Sequence, residues 1–426
     1  PGTRSPRRRS RGGINPAMTD TVDRPLSGVR VTGLEQYIAG PYCTMLLADT
    51  GAEVIKIERP GGGDPRRQMP PFAEKDGRKK GAGFMGYNRN KKSLCLNLRD
   101  PKGQEVFRKL VARSDVVVEN LRPGSMAKLG LGYREMRRMN PQLVWAIISG
   151  FGQLDGYRGP YSDRPAFDIV AEAMSGMMNL VGYDDKPPSG TVYGMADIVS
   201  GIIAAYGVLQ ALFMRQRTGR GQLVDSAMLD NLLSLNETMV TLYSVAGQEQ
   251  KRGVPTVFFP RGAYQTKDGY LAVHVPDNII WKRFCEVMER SDLIDDERSA
   301  TSPARAQNHG FLDPIISEFM ATMTRDEAVG KFNAHGVPVA PVYTAEDVFA
   351  DPHIEARGML MPIDDPEVGT YRFARTAPML EENAELPRNP APSLGQHTRE
   401  ILEGLLDYSS SEVDALRDHG VVETGE

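Results

Sequence analysis

Asp197 is the side chain whose setting in the chain most invites chemistry. It precedes a strongly apolar run, Ile198 to Met214, that reads as a buried helix, and Arg215, Arg217 and Gly219 look like its stop. A carboxylate there meets free N–H groups and the positive end of the helix macrodipole, which favour its ionised form. Position alone leaves two readings open: an N-cap worth about 1 kcal/mol, or a nucleophile held ready. Other chemistries lack their residues. The first turn, Gly33 to Gly40, has no GxGxxG, which weighs against a nicotinamide oxidoreductase. Neither a phosphate-binding GxxxxGK loop nor a Gly-x-Ser-x-Gly nucleophile elbow is found. The six histidines are scattered without metal-ligand spacing, and Cys43, Cys95 and Cys285 show no CxxC. The expectation is carboxylate chemistry with no metal and no nicotinamide.

The elements that must position Asp197 alternate along the chain. Strand-like runs occupy 29–34, 53–58, 93–98, 115–119 and 143–149, with helix-like segments at 42–49, 102–113 and 133–139 between them. Short apolar strands separated by helices predict an α/β fold whose parallel sheet is covered on both faces. Residues 224–247 read as a strand edge followed by one long helix. Lys267-Asp268-Gly269 marks a hairpin, and helical patterns follow at 281–289, 311–323 and 325–335. Strand-like alternation returns at 362–379, and short helices are expected at 398–405 and 411–417.

A chain of 426 residues exceeds one simple core. We expect a large domain over 22–230, a smaller α+β domain over 250–345, and a return to the large domain over 346–426. Residues 1–21 read as a disordered extension or tag, rich in Arg, Gly and Pro, with Met18 resembling a native start. A net charge of −4 gives no reason to expect nucleic acid or an anionic membrane as partner. No uninterrupted apolar run reaches the roughly 18–20 residues of a membrane span. Three scattered cysteines suit a reducing, cytoplasmic setting.

Eight segments, taken together, resemble the class III CoA-transferases. They are Ala39-Gly40-Pro41 with Leu47-Ala48-Asp49; GAEVIKIERPGGGDPRR (51–67); NRNKKSLCLNLRDPKG (88–103); DVVVENLRPG (115–124) with LGLGY (129–133); RPAFDIVAEAMSG (164–176); GMADIVSG (194–201); RTGRGQLVD (217–225); and LGQHT (394–398). The likeness runs from about residue 25 to 420. It implies a large Rossmann-like domain, a smaller domain, and two chains interlocked as a homodimer. It also implies an enzyme that moves CoA from an acyl-CoA donor to a free carboxylic acid, with a dicarboxylate such as succinate a candidate. Asp197 matches the family's nucleophile, which carries an aspartyl thioester of CoA. By the same matching, Arg59, Leu96, Arg99, Asn120, Leu121, Lys128 and Leu129 would contact coenzyme A, with Tyr37, Ile38 and Ala39 beside them. Backbone N–H groups at the start of the Asp197 helix and in Gly-rich loops are candidate oxyanion donors.

Two departures guide the choice of substrate and reaction. Ile38 stands where formyl-CoA transferase has a glutamine, and that enzyme's glycine run is reduced here to 253–265, so formate is not expected. Arg261 is then a candidate partner for the far carboxylate of a larger acid. The racemase branch carries a histidine before the residue matching Asp168; this chain has Phe167, which moves no proton. Asp168 is therefore expected to anchor structure. A 2-methylacyl-CoA racemase and an inactive CoA-binding protein are the alternatives.

Overall fold

The computed structural model describes residues 24–255, 258–376 and 378–425, so the expected extension over 1–21 lies outside the described residues. Its centre is a seven-stranded sheet. Six strands are parallel: Arg30–Leu34, Glu53–Glu58, Lys91–Leu96, Val116–Glu119, Val144–Ser149 and Leu223–Ala227. Numbered along the chain, they stand side by side as 3-2-1-4-5-6, the doubly wound order of nucleotide-binding folds. Val422–Glu423 adds an antiparallel edge beside Lys91–Leu96. The central strands are buried on both faces, which is why Val116–Glu119 and Val144–Ser149 read as nearly continuous apolar runs.

Each face has its own core. On one side the Ala39–Asp49 and Met195–Thr218 helices pack together over Val31, Val54, Val118 and Ala146. On the other, Val106, Phe107 and Leu110 meet Trp145 and the C-terminal Ile401, Leu402, Val413 and Leu416. A third core, Phe259 to Val337, lies under a three-stranded sheet of Arg261–Thr266, Gly269–His274 and Val339–Pro341. Its centre is a stack of Trp281, Phe284 and Phe332.

Several elements differ from their sequence reading. The apolar helix begins at Met195, three residues before the expected start, so Asp197 sits inside its first turn and is not its cap. Nor is that helix wholly buried. Ala196, Ser200, Gly201, Ala204, Ala205, Val208 and Ala211 face the core, while Ile202, Ile203, Tyr206, Leu209 and Phe213 are exposed. Small residues allow a close approach: a Cβ on Gly201 would come within 2.8 Å of the Ala39 carbonyl oxygen. By length and composition this helix could also cross a membrane, yet its inner face is packed onto the sheet and the Ala39–Asp49 helix. The single long helix expected after residue 228 is two, Met228–Leu235 and Glu237–Ala246, parted at Asn236. The buried Asn236 side chain donates to the Ser175 carbonyl, which holds its backbone off the helical path. The Phe72–Lys75/Arg78–Gly81 hairpin and the Asp168–Met174 helix went unforeseen.

Candidate active site

In doubly wound sheets, ligands bind beyond the carboxyl ends of the strands, where the strand order reverses. Here that point lies between Arg30–Leu34 and Val116–Glu119. Asn120 stitches the two loops together: its Oδ1 accepts from the Gln36 N–H at 2.9 Å and its Nδ2 donates to the Gln36 carbonyl at 2.8 Å. Two crevices open on either side and share Gln36, Leu121 and Ser125. The first, about 800 Å³, is walled by Tyr37, Ile38, Asn120, Arg164, Phe167, Glu172, Tyr193 and Asp197 among others. The second, about 520 Å³, is lined by Arg59, Leu96, Arg99, Leu121, Met126 and Leu129 among others.

The loop that carries Tyr37 to Ala39 rests on buried charge. Lys56 and Lys91 are both fully enclosed. Lys56 Nζ donates to Asp64 Oδ2 at 2.9 Å and to the Glu35 carbonyl at 2.8 Å. Lys91 Nζ donates to the Pro41 carbonyl at 3.0 Å and to Glu35 Oε1 at 3.2 Å. Burial pushes the Lys91 ammonium down to about 8, with Glu35 offsetting part of the loss. Burial also acts to lower Lys56, but Glu35, Asp64 and Glu58 outweigh it and hold it above the usual lysine range. A Cβ at Gly33 or Gly40 would each collide with Glu35 at 2.4 Å, so both glycines make room for this cluster. Above it, Tyr37 takes a left-handed φ of 64°, a conformation costly for a residue with a Cβ.

The opposite wall is fixed by two carboxylates one turn apart on the Asp168–Met174 helix. Asp168 accepts from the Gly194 N–H at 2.9 Å and the Ala196 N–H at 2.7 Å. Buried Glu172 accepts from the Thr191 N–H at 2.7 Å. The capping role that position alone left open for Asp197 is thus filled by Asp168. The Met195 N–H is likewise taken, by the Val192 carbonyl. The N–H groups of Gly194, Met195 and Ala196 are therefore not free to hold an oxyanion, which leaves the Gly-rich loops as the other expected source.

Asp197, released from capping, presents its carboxyl to the first crevice. Its pKa is pushed up to about 6 by burial and by the charge of Asp168, while the Ala39 N–H and the charge of Arg66 pull the other way. The group remains mostly ionised at neutral pH and is poorly solvated, the condition of a carboxylate that attacks well.

The other expected positions fall unevenly. Tyr37, Ile38 and Asn120 share the first crevice with Asp197, and Leu121 reaches both crevices. Arg59, Leu96, Arg99 and Leu129 line the second. Ala39 contributes its N–H to Asp197. Lys128 is exposed and lines neither crevice, although its helix neighbours Ser125 and Met126 do. Arg261 lines a separate cavity with His274 in the smaller core region, away from Asp197 of the same chain. Arg164, Glu172 and Tyr193 escaped the sequence reading; only the segments holding them were singled out. No group of three or more His, Cys, Asp or Glu among the described residues could hold a metal ion.

The chain is similar to known proteins over most of its length. The model of CoA-transferase family III matches residues 26–398. The succinyl-CoA:mesaconate CoA-transferase of Haloarcula hispanica is 39% identical over 383 residues, covering 89% of this chain and 96% of that one. The succinyl-CoA–D-citramalate CoA-transferase of Chloroflexus aurantiacus is 36% identical, covering 94% and 98%. The mouse succinyl-CoA:glutarate CoA-transferase is 34% identical, covering 95% and 91%. A crystal structure of a CaiB/BaiF family protein from Brucella suis superposes with a TM-score of 0.79 at 34% identity, covering 90% and 99%. The chain belongs to CoA-transferase family III and is an enzyme that moves CoA between an acyl-CoA and a free carboxylic acid.

Proposed function

We propose that the enzyme takes CoA from succinyl-CoA and passes it to a second dicarboxylic acid, with Asp197 as the covalent carrier. One observation carries the reading: a half-buried carboxylate faces a cavity of about 800 Å³ that shares Gln36, Leu121 and Ser125 with a second crevice edged by Arg59 and Arg99. Asp197 attacks the thioester carbonyl, and CoA leaves as thiolate, forming an aspartyl–acyl anhydride. The thiolate then attacks the aspartyl carbonyl, which frees the donor acid as carboxylate and leaves Asp197 as a CoA thioester. The incoming carboxylate attacks that thioester, again releasing thiolate. The thiolate takes the acyl carbonyl of the new anhydride and restores the Asp197 carboxylate. No net proton or electron is exchanged, and the thioester energy survives if water is kept out.

The named relatives all transfer CoA from succinyl-CoA to acids with two carboxylates, which supports that substrate class. The racemase alternative is disfavoured on two grounds. No histidine lines the Asp197 cavity, and both oxygens of Asp168 are occupied by backbone N–H groups. The exposed apolar row Ile202, Tyr206, Leu209 and Phe213, with Leu235 and Tyr243 also exposed on the next two helices, supports a homodimer in which a second chain covers the row.

A panel of acyl-CoA donors against free acids, read by mass spectrometry, tests the activity. Succinyl-CoA with a five-carbon dicarboxylate should exchange fastest. Deuterium uptake at the α-carbon of a 2-methylacyl-CoA in heavy water, with no acid added, would contradict transfer. For the dimer, Tyr206→Asp with Phe213→Asp should shift sedimentation toward the monomer and remove activity.

A further inference from the structure

Arg66 and Arg67 are adjacent but differ in occupation. Arg67 is spoken for: its Nε and Nη2 grip Glu58 at 2.7 Å each. The Arg66 guanidinium makes no ion pair or hydrogen bond with any described residue, and its Nε is buried without a partner. It is nevertheless held in place. Its Cζ lies 5.4 Å from the centroid of the Tyr87 ring. Its other neighbour is the bare backbone of Gly83, where a Cβ would come within 2.1 Å of Nη2. A guanidinium seated on an aromatic ring and a glycine keeps its hydrogen-bonding edge unspent, the fork that grips carboxylates.

Arg66 does not line the 800 Å³ cavity itself, but a chain of contacts links it to the helix that carries Asp197. Gly201 lies one turn beyond Asp197 on the same face of its helix. A Cβ on Gly201 would sit 3.2 Å from the Tyr42 Cβ. The Tyr42 and Tyr87 rings meet edge to face at 5.8 Å, and Tyr87 carries Arg66. The charge of Arg66 reaches Asp197, and Tyr87 feels Asp197 and Tyr193. The reaction requires a free carboxylate to leave water and reach the aspartyl thioester, and a cation close by offsets the cost of that desolvation.

We propose that Arg66 is the receptor for the free acid, gripping a carboxylate of the acceptor as it enters and of the donor's acid as it leaves, beside Asp197. This rests on the carrier role of Asp197 and names how the same site recognises its second substrate. Arg66→Gln should raise KM for the free acid by about tenfold or more while KM for acyl-CoA stays within about twofold. Arg66→Lys should recover part of that loss. Gly83→Ala, which displaces the guanidinium without removing it, should push KM for the acid in the same direction. Removing the cation should also move the acid limb of kcat to higher pH, because Arg66 holds Asp197 down against burial and Asp168. The carrier role is read separately, by hydroxylamine trapping of the acyl-CoA half-reaction on wild type and Arg66→Gln. Trapping in both with the acid KM unchanged, or with both KM values raised together, would overturn the role of Arg66 alone. No trapping in wild type would overturn the carrier reading beneath it.

Discussion

The two crevices that meet at Gln36 and Leu121 are built in opposite ways. Around Asp197 nearly every position is set by the backbone or by buried charge. Asp168 caps the helix, Glu172 ties down Thr191, Gly201 draws the helix against Ala39, and Lys56 and Lys91 sit beneath the facing loop. Around the second crevice, Arg59 and Arg99 stand exposed on loop residues and form no ion pair with a described residue. Bond-making needs reacting atoms placed to within a fraction of an ångström, and a rigid frame provides that. Holding a nucleotide's phosphates needs charge, which flexible exposed side chains supply.

Substitutions can break this contrast, beginning with the rigid side. Asp197→Asn should lower exchange by about ten-thousandfold or more, since an essential nucleophile is lost, while CoA still binds by calorimetry. Retained turnover would mean that the rigid frame serves something else. Lys56→Met should leave Glu35 and Asp64 facing each other in the interior at a cost of about 3–5 kcal/mol. Denaturant melts should show that loss, whereas an unchanged midpoint would mean the cluster is not what holds the loop.

The flexible side should respond more mildly and with a different signature. Arg59→Ala and Arg99→Ala should each weaken acyl-CoA binding by about 1.5–3 kcal/mol, with kcat little changed. Their effect should shrink as salt rises, because exposed charges are screened. The smallest effect concerns pH. In the proposed mechanism the carboxylate form of Asp197 is the nucleophile, so kcat should fall as pH drops through about 6. Asp168 raises that pKa, so Asp168→Asn should move the acid limb to lower pH, besides weakening the helix cap by about 1 kcal/mol. Rate profiles of the two enzymes check the direction.

The flexible crevice was the more legible in sequence, and the reason is physical. Arg59 directly follows the strand Glu53–Glu58, and Arg99 lies three residues beyond Lys91–Leu96, so the family resemblance that named them falls next to strands that local pattern shows. Glu53–Glu58 and Tyr133–Met139 were readable to the residue from local pattern alone. The frame around Asp197 depends on partners distant in sequence. Asp168 caps a helix 26 to 28 positions away, and Glu35 neutralises a lysine 56 positions away. No local pattern announces such pairs. The apolar run after Asp197 read as buried because hydropathy averages over faces; it could not tell that the small residues turn inward and the large ones outward. Val422–Glu423 is too short to register as a strand without Lys91–Leu96 beside it.

The account turns on which atom holds the thioester between the two halves of the exchange. Wild-type enzyme incubated with succinyl-CoA and no acceptor, quenched with hydroxylamine and digested, should yield one peptide bearing a hydroxamate, at Asp197. A hydroxamate on another carboxylate, or none while exchange proceeds at full rate, would contradict it.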